Sequence, residues 1–418
     1  MTSSVDLNGI AWVRLSFVDV FGTSHSMQLP AGRFLAAVES GEPFDASSLE
    51  GRTRLVETDM RLLPDPDTLV RLDDGLARAV CTVVGNDGTP WPADPRAALG
   101  MVVEDTGDLG EAFSGSAELE FYLLDEDGDP IDAGGYFGEP ESVGMEVVRD
   151  AADKLTSFGV PIDSSHHEAG PGQYEIDIGM LPALRLADAL VLAKQVLRES
   201  ATEAGLRATF MPRPFADEAG SGLHLHQRVD SRLVADDGSL LDEGKFFLAG
   251  QLAHARGLSA LAAPTVNSYK RLHAGPEAPS AAVWAHVNRG ALVRVSPNTA
   301  EGATLEYRGA DPSANPYLLL AGLLVAGDHG LGASLELPAA LEEELGGFDP
   351  AGASDSQRYL PLPKDLDEAL ESLLADDVLV DAFDQRLLSR LVDGRRAESS
   401  DYSAQVTPWE IERYLDEA

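Results

Sequence analysis

Ser116-Ala117-Glu118-Leu119-Glu120-Phe121 alternates strictly: on an extended strand, Glu118 and Glu120 take one face while Ala117, Leu119 and Phe121 take the other. The same pattern recurs along the chain. Glu175 stands between Tyr174 and Ile176, His224 and His226 stand against Leu223 and Leu225, and Glu306 and Arg308 stand against Leu305 and Tyr307. Any one of these segments alone reads as a half-exposed strand with solvated charges. A solvated face, however, mixes Thr, Lys, Ser and Gln, whereas here only Glu, His and Arg recur. Together the segments predict a polar active-site surface built on a sheet.

Outward from these strands, helical periodicity near 144–158, 185–204, 245–262, 316–330, 366–390 and 408–416 is separated by short alternating stretches. Strands and helices mixed in this order predict an α+β catalytic domain over 93–418. Upstream, Trp12 to Asp19 alternates and ends on Phe21-Gly22-Thr23, and further strands are expected at Thr68 to Leu72 and Ala79 to Val84. The run GNDGTPWPADP between Gly85 and Pro95 closes a small β-rich domain over 1–92. The acidic stretch Leu341 to Leu345 is expected to form a surface helix followed by a loop.

With 418 residues, 44% of them hydrophobic, the chain has ample material for a large folded enzyme. Its 70 acidic and 31 basic residues give a net charge of −39 with no basic stripe, which argues against nucleic acid or an anionic membrane surface as partner. Lys occurs only at 154, 194, 245, 270 and 364. Such a halophile-like acidic surface suits high salt, where screening relieves self-repulsion; Arg-biased codon usage with ordinary solubility is the alternative. The single Cys81 leaves no disulfide framework and no CxxC metal motif. MTSSVDLNGIAWVRLSF carries neither a basic leader nor an apolar core, and the apolar stretch Leu318 to Ala326 falls short of the ~20 residues that span a bilayer, so a soluble, cytoplasmic protein is expected.

Glu with a minority of His and no Cys is a donor set for hard divalent ions such as Mg²⁺ or Mn²⁺. Several carboxylates in one place repel unless cations neutralise them, so more than one metal is expected. Arginines stand nearby in Asn267-Ser268-Tyr269-Lys270-Arg271-Leu272, in Asn288-Arg289 through Arg294, and at Arg308. Metals beside arginines point to phosphoryl transfer. No GxxxxGK[ST] loop and no GxGxxG opening a helix is present, so nucleotide binding requires another fold.

These segments resemble the glutamine synthetase family, in its bacterial and archaeal type I form, over nearly the whole chain. The resemblance rests on Phe44-Asp45-Ala46-Ser47-Ser48, Thr58-Asp59-Met60, SAELEF at 116–121, Gly134-Gly135-Tyr136-Phe137, HHEAGPGQYE at 166–175, GSGLHLHQ at 220–227, NSYKRLHAGPEAP at 267–279, Asn288-Arg289 through Arg294, LEYRGADPSANPY at 305–317 and VTPWEIERYL at 406–415. It implies a small β-grasp-like N-terminal domain, a catalytic domain whose antiparallel sheet lines the site, and a dodecamer of two hexameric rings. The implied activity is ATP-dependent ligation of ammonia, or of a polyamine, ethanolamine or another small amine, to the γ-carboxylate of glutamate. A non-catalytic nitrogen sensor of the same fold would lack metal ligands or Glu277, and the sequence keeps them.

Carried onto this sequence, the resemblance gives Glu120, Glu168 and Glu175 to one metal and Glu118, His224 and Glu306 to the other. Gly220, His224, Arg271, Glu277 and Arg308 match the glutamate site, Arg289 the group that stabilises the transferring phosphoryl, and His226, Arg289 and Arg294 the nucleotide contacts. Asp45, Ser48, Tyr136 and Glu168 match the ammonium pocket, with Asp45, from a neighbouring subunit, as the deprotonating group and Glu277 as the flap that shields the intermediate. Asp45 also reads as a helix N-cap, and Tyr136 after two glycines as a loop anchor. No ligand role is assigned to His166 or His167. Ala219 stands where the family usually has Asn, Ala46 where it has Gly, and Arg228 where it has Ser. The stretch from Gly346-Gly347 to Arg358 leaves little room for the family's adenylylation loop, with Tyr359 a weak candidate for modification.

Overall fold

The computed structural model describes residues 5–416 apart from 48, 50–58, 74, 139–142, 231, 236, 274, 276, 300–301 and 344–358. Ser48, Thr58 and the stretch expected to replace the adenylylation loop therefore lie outside the described residues.

The N-terminal sheet contains β1 (Trp12–Val18), β2 (Ser24–Pro30), β3 (Glu42–Phe44), β4 (Met60–Pro64), β5 (Val70–Asp73) and β6 (Leu76–Val84). Its order is β2-β1-β6-β4-β3 with β5 beside β6; β1 and β6 run parallel and the other pairs antiparallel. The expected turn at Phe21-Gly22-Thr23 forms because Asp19 Oδ1 accepts the Phe21 and Thr23 amides at 3.0 and 2.9 Å, while Gly22 takes φ +84°. The strand expected from Thr68 starts only at Val70. Pro66–Thr68 is instead a 3₁₀ turn, capped by Asp65 accepting from the Asp67 amide.

The larger sheet contains β7 (Phe113–Leu124), β8 (Ile162–His167), β9 (Gln173–Pro182), β10 (Arg207–Thr209), β11 (Leu223–Val229), β12 (Trp284–Ala285), β13 (Val293–Thr299) and β14 (Gly302–Tyr307). The order is β12-β13-β14-β11-β7-β9-β8, with β10 also pairing β7, and only the short β12–β13 contact is parallel. The apolar sides of these strands join one core with the helices Ala183–Glu203 and Pro316–Ala333, leaving the opposite side to the acids. The fold is thus the expected α+β arrangement.

Three helix expectations need correction. The helix expected over 245–262 is two, Asp242–Ala253 and Ala255–Ala262, broken at His254, whose ring is held 2.7 Å from Asp376 Oδ2 and 2.9 Å from His329 Nδ1. The helix expected over 366–390 is three, Leu366–Leu374, Asp377–Asp381 and Gln385–Ser403, because Asp376 and Asp384 each cap a new N-terminus. Residues 341–343 are not helical: the Glu342 carboxylate leaves any local helix to accept the His286 and Val287 amides.

The two parts are joined by buried polar contacts. Arg96 pairs with Asp188 at 3.0 Å and Asp65 at 2.8 Å, and the Tyr317 hydroxyl donates to Asp188 at 2.7 Å. The Asn315 amide donates to the Asp19 carbonyl at 3.1 Å, seating the β1–β2 turn on the larger part. Among the described residues, no helix is long and apolar enough to cross a membrane.

Candidate active site

Sheet register gathers the alternating acids. Glu118 lies opposite His224 on β11 and Asp177 on β9, and Glu120 lies opposite Glu175. His226 lies opposite Glu306, which in turn lies opposite Arg294 on β13. These strands floor a cavity of about 650 Å³ whose lining includes Glu118, Glu120, Glu175, His224 and Glu306. Its walls carry Tyr136, Glu168, Gly220 and Glu277, and Arg271, Arg289, Arg294 and Arg308 all face it.

One half of the floor is neutralised from within. His224 Nδ1 is 2.7 Å from Glu118 Oε2, and His226 Nε2 is 2.9 Å from Glu118 Oε1. Burial works to raise the Glu118 pKa, but the hydrogen bonds and charge of the two histidines outweigh it and hold the carboxylate well below its usual range. Burial likewise opposes ionisation of Glu306, which is overcome by Arg308 and then by His226 and His224. Arg308 Nη1 pairs with Glu306, and Arg294 Nε lies 2.6 Å from its other oxygen. Arg308 Nε meanwhile donates to the Arg289 carbonyl at 2.9 Å.

Among the described residues, no arginine ion pair neutralises the other half. Glu175 is pushed far up, first by burial and then by the charges of Glu120 and Glu118. Glu168 is pushed up to about 7 by burial and then by Glu120. His166 stands between them, Nε2 3.2 Å from Glu175 and Nδ1 3.7 Å from Glu168.

Donor atoms of Glu118, His226 and Glu306 lie within 4.8 Å of one another, as do those of His166, Glu168 and Glu175. Both sets are oxygen-rich with one imidazole, a chemistry that fits a hard divalent cation. The grouping differs in detail from the one the resemblance implies: His226 takes the place of His224, and His166 that of Glu120. His226 itself lies behind the floor, both ring nitrogens engaged, by Glu118 and by Thr304 Oγ1 at 2.9 Å.

Two of the arginines, Arg271 and Arg308, are held by backbone carbonyls. Arg271 is buried, which lowers its pKa, and donates to the carbonyls of Ala310 at 2.9 Å and Arg308 at 3.3 Å. Gly220 is required beside it, since a Cβ there would come within 2.7 Å of Arg271 Cγ and 2.8 Å of the Pro212 carbonyl. Ala219 lines the cavity and accepts from the Tyr122 hydroxyl at 2.7 Å through its carbonyl. Arg228 points elsewhere, donating to the Asp230 carbonyl.

Asp45 is not brought in. It is exposed and outside the cavity lining, and its carboxylate accepts the Ser47 amide at 2.8 Å, which lowers its pKa. Three residues of the site carried no assignment in the sequence. Asp177 was legible, because the alternation that places Glu175 places Asp177 on the same face. His166 was not, because its role depends on β8 pairing with β9. Gln173 holds the loop, donating to the Gly220 carbonyl at 3.1 Å and to Glu120 at 3.3 Å.

Residues 9–85 match the glutamine synthetase β-grasp domain, and residues 92–414 match the glutamine synthetase catalytic domain. A glutamine synthetase from Thermotoga maritima is 37% identical, covering 98% of both chains, and one from Halobacterium salinarum is 36% identical, covering 99% of this chain and 95% of its own. Among solved structures, an apo GmaS superposes with a TM-score of 0.87 at 29% identity, covering both chains completely. Matches across both domains, and relatives this similar over their full length, make this chain a member of the glutamine synthetase family.

Proposed function

We propose that this enzyme is an ATP-dependent ligase that activates the γ-carboxylate of glutamate as γ-glutamyl phosphate and transfers it to ammonia, giving glutamine. The observation that carries this reading is the meeting, across one cavity, of two carboxylate–imidazole groups with four arginines. A carboxylate is a poor electrophile until phosphorylated, and phosphoryl transfer needs dense positive charge around the moving group. Bound Mg²⁺ or Mn²⁺, held by Glu118, Glu120, Glu168, Glu175, His224 and Glu306 with their neighbours, would supply part of that charge. Arg271 and Arg308, anchored on backbone carbonyls, hold glutamate beside Gly220 and His224. Arg289 meets the transferring group and Arg294 the nucleotide phosphates, while His226, engaged by Glu118 and Thr304, acts from behind the floor by holding Glu118 in place rather than by touching a phosphate. Glu277, on the rim, closes over the acyl phosphate, which water would otherwise hydrolyse.

Ammonia reaches the site as ammonium and must lose a proton before it attacks. Tyr136 and Glu168, together on one wall, form the cavity's share of the ammonium pocket. Asp45, with Ser48, completes it from a neighbouring subunit of a ring assembly acting in the cytoplasm. Two features support that assembly: Asp45 lies exposed outside its own cavity, and the helix Pro408–Tyr414 buries no residue and presents Trp409 and Ile411 outward. The second reading, ligation of a small organic amine, is favoured by the full-length likeness to GmaS, a γ-glutamylmethylamide synthetase.

The test supplies ATP, Mg²⁺ or Mn²⁺ and glutamate with ammonia, methylamine, ethanolamine, putrescine or spermidine, and identifies the product by mass spectrometry. Glutamine from ammonia is expected; turnover of an organic amine without turnover of ammonia would select the second reading. Full activity in dissociated monomers would remove the shared site.

A further inference from the structure

Phe137 has φ +55°, in the left-handed region where a bulky side chain is strained. The other non-glycine residues with positive φ among the described residues are Asp230 and Ser334. Asp suits that region, and Ser334 caps the helix Pro316–Ala333. Phe137 has neither excuse. It occupies the third position of a four-residue turn closed by the Gly138 amide donating to the Gly135 carbonyl at 2.6 Å, a position that favours Gly or Asn when φ is positive. Its own amide donates to the His167 carbonyl at 3.0 Å, tying the turn to the end of β8.

Surrounding contacts leave the turn little freedom. A Cβ on Gly134 would come within 2.5 Å of His167 Nε2, so the chain passes against that ring. His167 is itself fixed by Asp132 at 2.8 Å. What the strained backbone achieves is the placement of one ring. The Phe137 ring packs on Tyr136 with centroids 4.2 Å apart and on His166 at 5.1 Å, and Tyr136 and His166 are 5.6 Å apart, so the three rings brace one another.

Phe137 does not line the cavity, but Tyr136 and His166 both do. Phe137 is also 67% exposed, so burial of its own surface in this chain does not explain why a phenyl group is kept there. Strain of this kind persists where the surroundings over-determine it, and it clusters at functional sites.

We propose that Phe137 is a positioning residue for the acceptor amine, its strained backbone holding the ring that fixes Tyr136 and His166 beside Glu168. This rests on the ligase reading above and narrows it to one wall of the site. Tyr136 on that wall shares the cavity lining with Arg289, whose charge acts on its hydroxyl, so its placement joins the acceptor side of the cavity to the phosphoryl side.

The experiment compares Phe137→Gly, Phe137→Leu and Phe137→Tyr in the full chain, measuring kcat and KM for ammonia, methylamine, glutamate and ATP, with thermal unfolding and oligomer size alongside. Glycine relieves the backbone, so Phe137→Gly should unfold no earlier than wild type. Loss of two aromatic contacts should raise the acceptor KM about five- to tenfold in Phe137→Gly and Phe137→Leu, with kcat and the KM for ATP within about twofold. Phe137→Tyr, which keeps a ring, should restore the acceptor KM.

An unchanged acceptor KM in Phe137→Gly overturns the proposal. So does a Phe137→Tyr enzyme as impaired as Phe137→Gly, or an equal rise in every KM accompanied by smaller oligomers, which would make Phe137 an interface residue. A wild-type chain that ligates no amine overturns the ligase reading and this inference together, whereas an active wild type with unresponsive variants overturns only the inference.

Discussion

The two acidic groups around the cavity use the same residue types on neighbouring strands and, for Glu168, on the loop joining two of them, yet they differ in where their neutralising charge comes from. Glu118 and Glu306 find it inside the protein, in His224, His226, Arg294 and Arg308. Glu168 and Glu175 do not: they face Glu120 and each other with His166 between them, and both are pushed toward the protonated form by burial and like charge. One half of the floor is built complete. The other carries its full charge only at some cost to the protein's stability, a cost that a cation bound there would offset.

The largest effect should come from the uncompensated half. Glu175→Gln should lower kcat at saturating Mg²⁺ by about 100-fold or more while raising the unfolding temperature of the metal-free protein, since folding no longer has to force a proton onto a buried acid. A variant that stays active, or that is destabilised without metal, would break the contrast. Glu306→Gln should act in the opposite sense on stability. Glu306 is fully buried between two arginines, and loss of its charge leaves them uncompensated, costing roughly 3–5 kcal/mol in urea unfolding of the metal-free protein. Equal responses to the two substitutions would erase the distinction.

A smaller effect follows from pH. The folded-state pKa of Glu168 is about 7, above its ordinary value, so the metal-free folded chain binds more protons there than the unfolded chain. Its contribution to stability is therefore lost as pH rises from the ordinary Glu range through about 7, and metal uptake in that window must release protons. Apparent metal affinity should climb most steeply up to about pH 7 and rise more gently above it, because Glu175 is held protonated further up. Titration calorimetry in buffers of different ionisation enthalpy should detect proton release from both acids near pH 6 and a smaller release, from Glu175 alone, near pH 8; equal release at the two pH values would count against the raised Glu168. The Glu118 and Glu306 half runs the other way, since lowered pKa values give stability that is lost only as pH falls below the ordinary carboxylate range.

The smallest and least local effect concerns the net charge of −39, of which the floor acids are a minor part. Surface repulsion between subunits should be screened by added KCl, so assembly and activity measured by light scattering and turnover should rise toward roughly molar salt. Full assembly and full activity in dilute buffer would assign the acidic surface to solubility alone.

Much of the site was legible in the chain. Alternation placed Glu118, Glu120, Glu175, His224 and Glu306 on polar faces, and the same rule extends to Asp177. The arginines were legible as candidates only, because an isolated Arg gives no sign of whether it is solvated or, like Arg271, buried and fixed by carbonyls. In the fold, β1 and the Gly22 turn followed from local pattern. The breaks at His254, Asp376 and Asp384 did not. Helical periodicity runs through all three, and what interrupts it is either a cap or a side-chain contact with a residue such as His329, 75 positions away.

The sequence by itself determined which side chains share a face, because the two-residue period of a strand is a property of its own stereochemistry. It also determined the family, since motifs spread along both domains keep their order. Only the tertiary structure decided which acid meets which base. Glu118 and His224 are 106 residues apart, and their pairing depends on β7 lying beside β11 in one register; a shift of one residue would turn each of these side chains to the core. Strand order and register are set by packing across the whole sheet, and so is the division of the acids into a neutralised half and an uncompensated one.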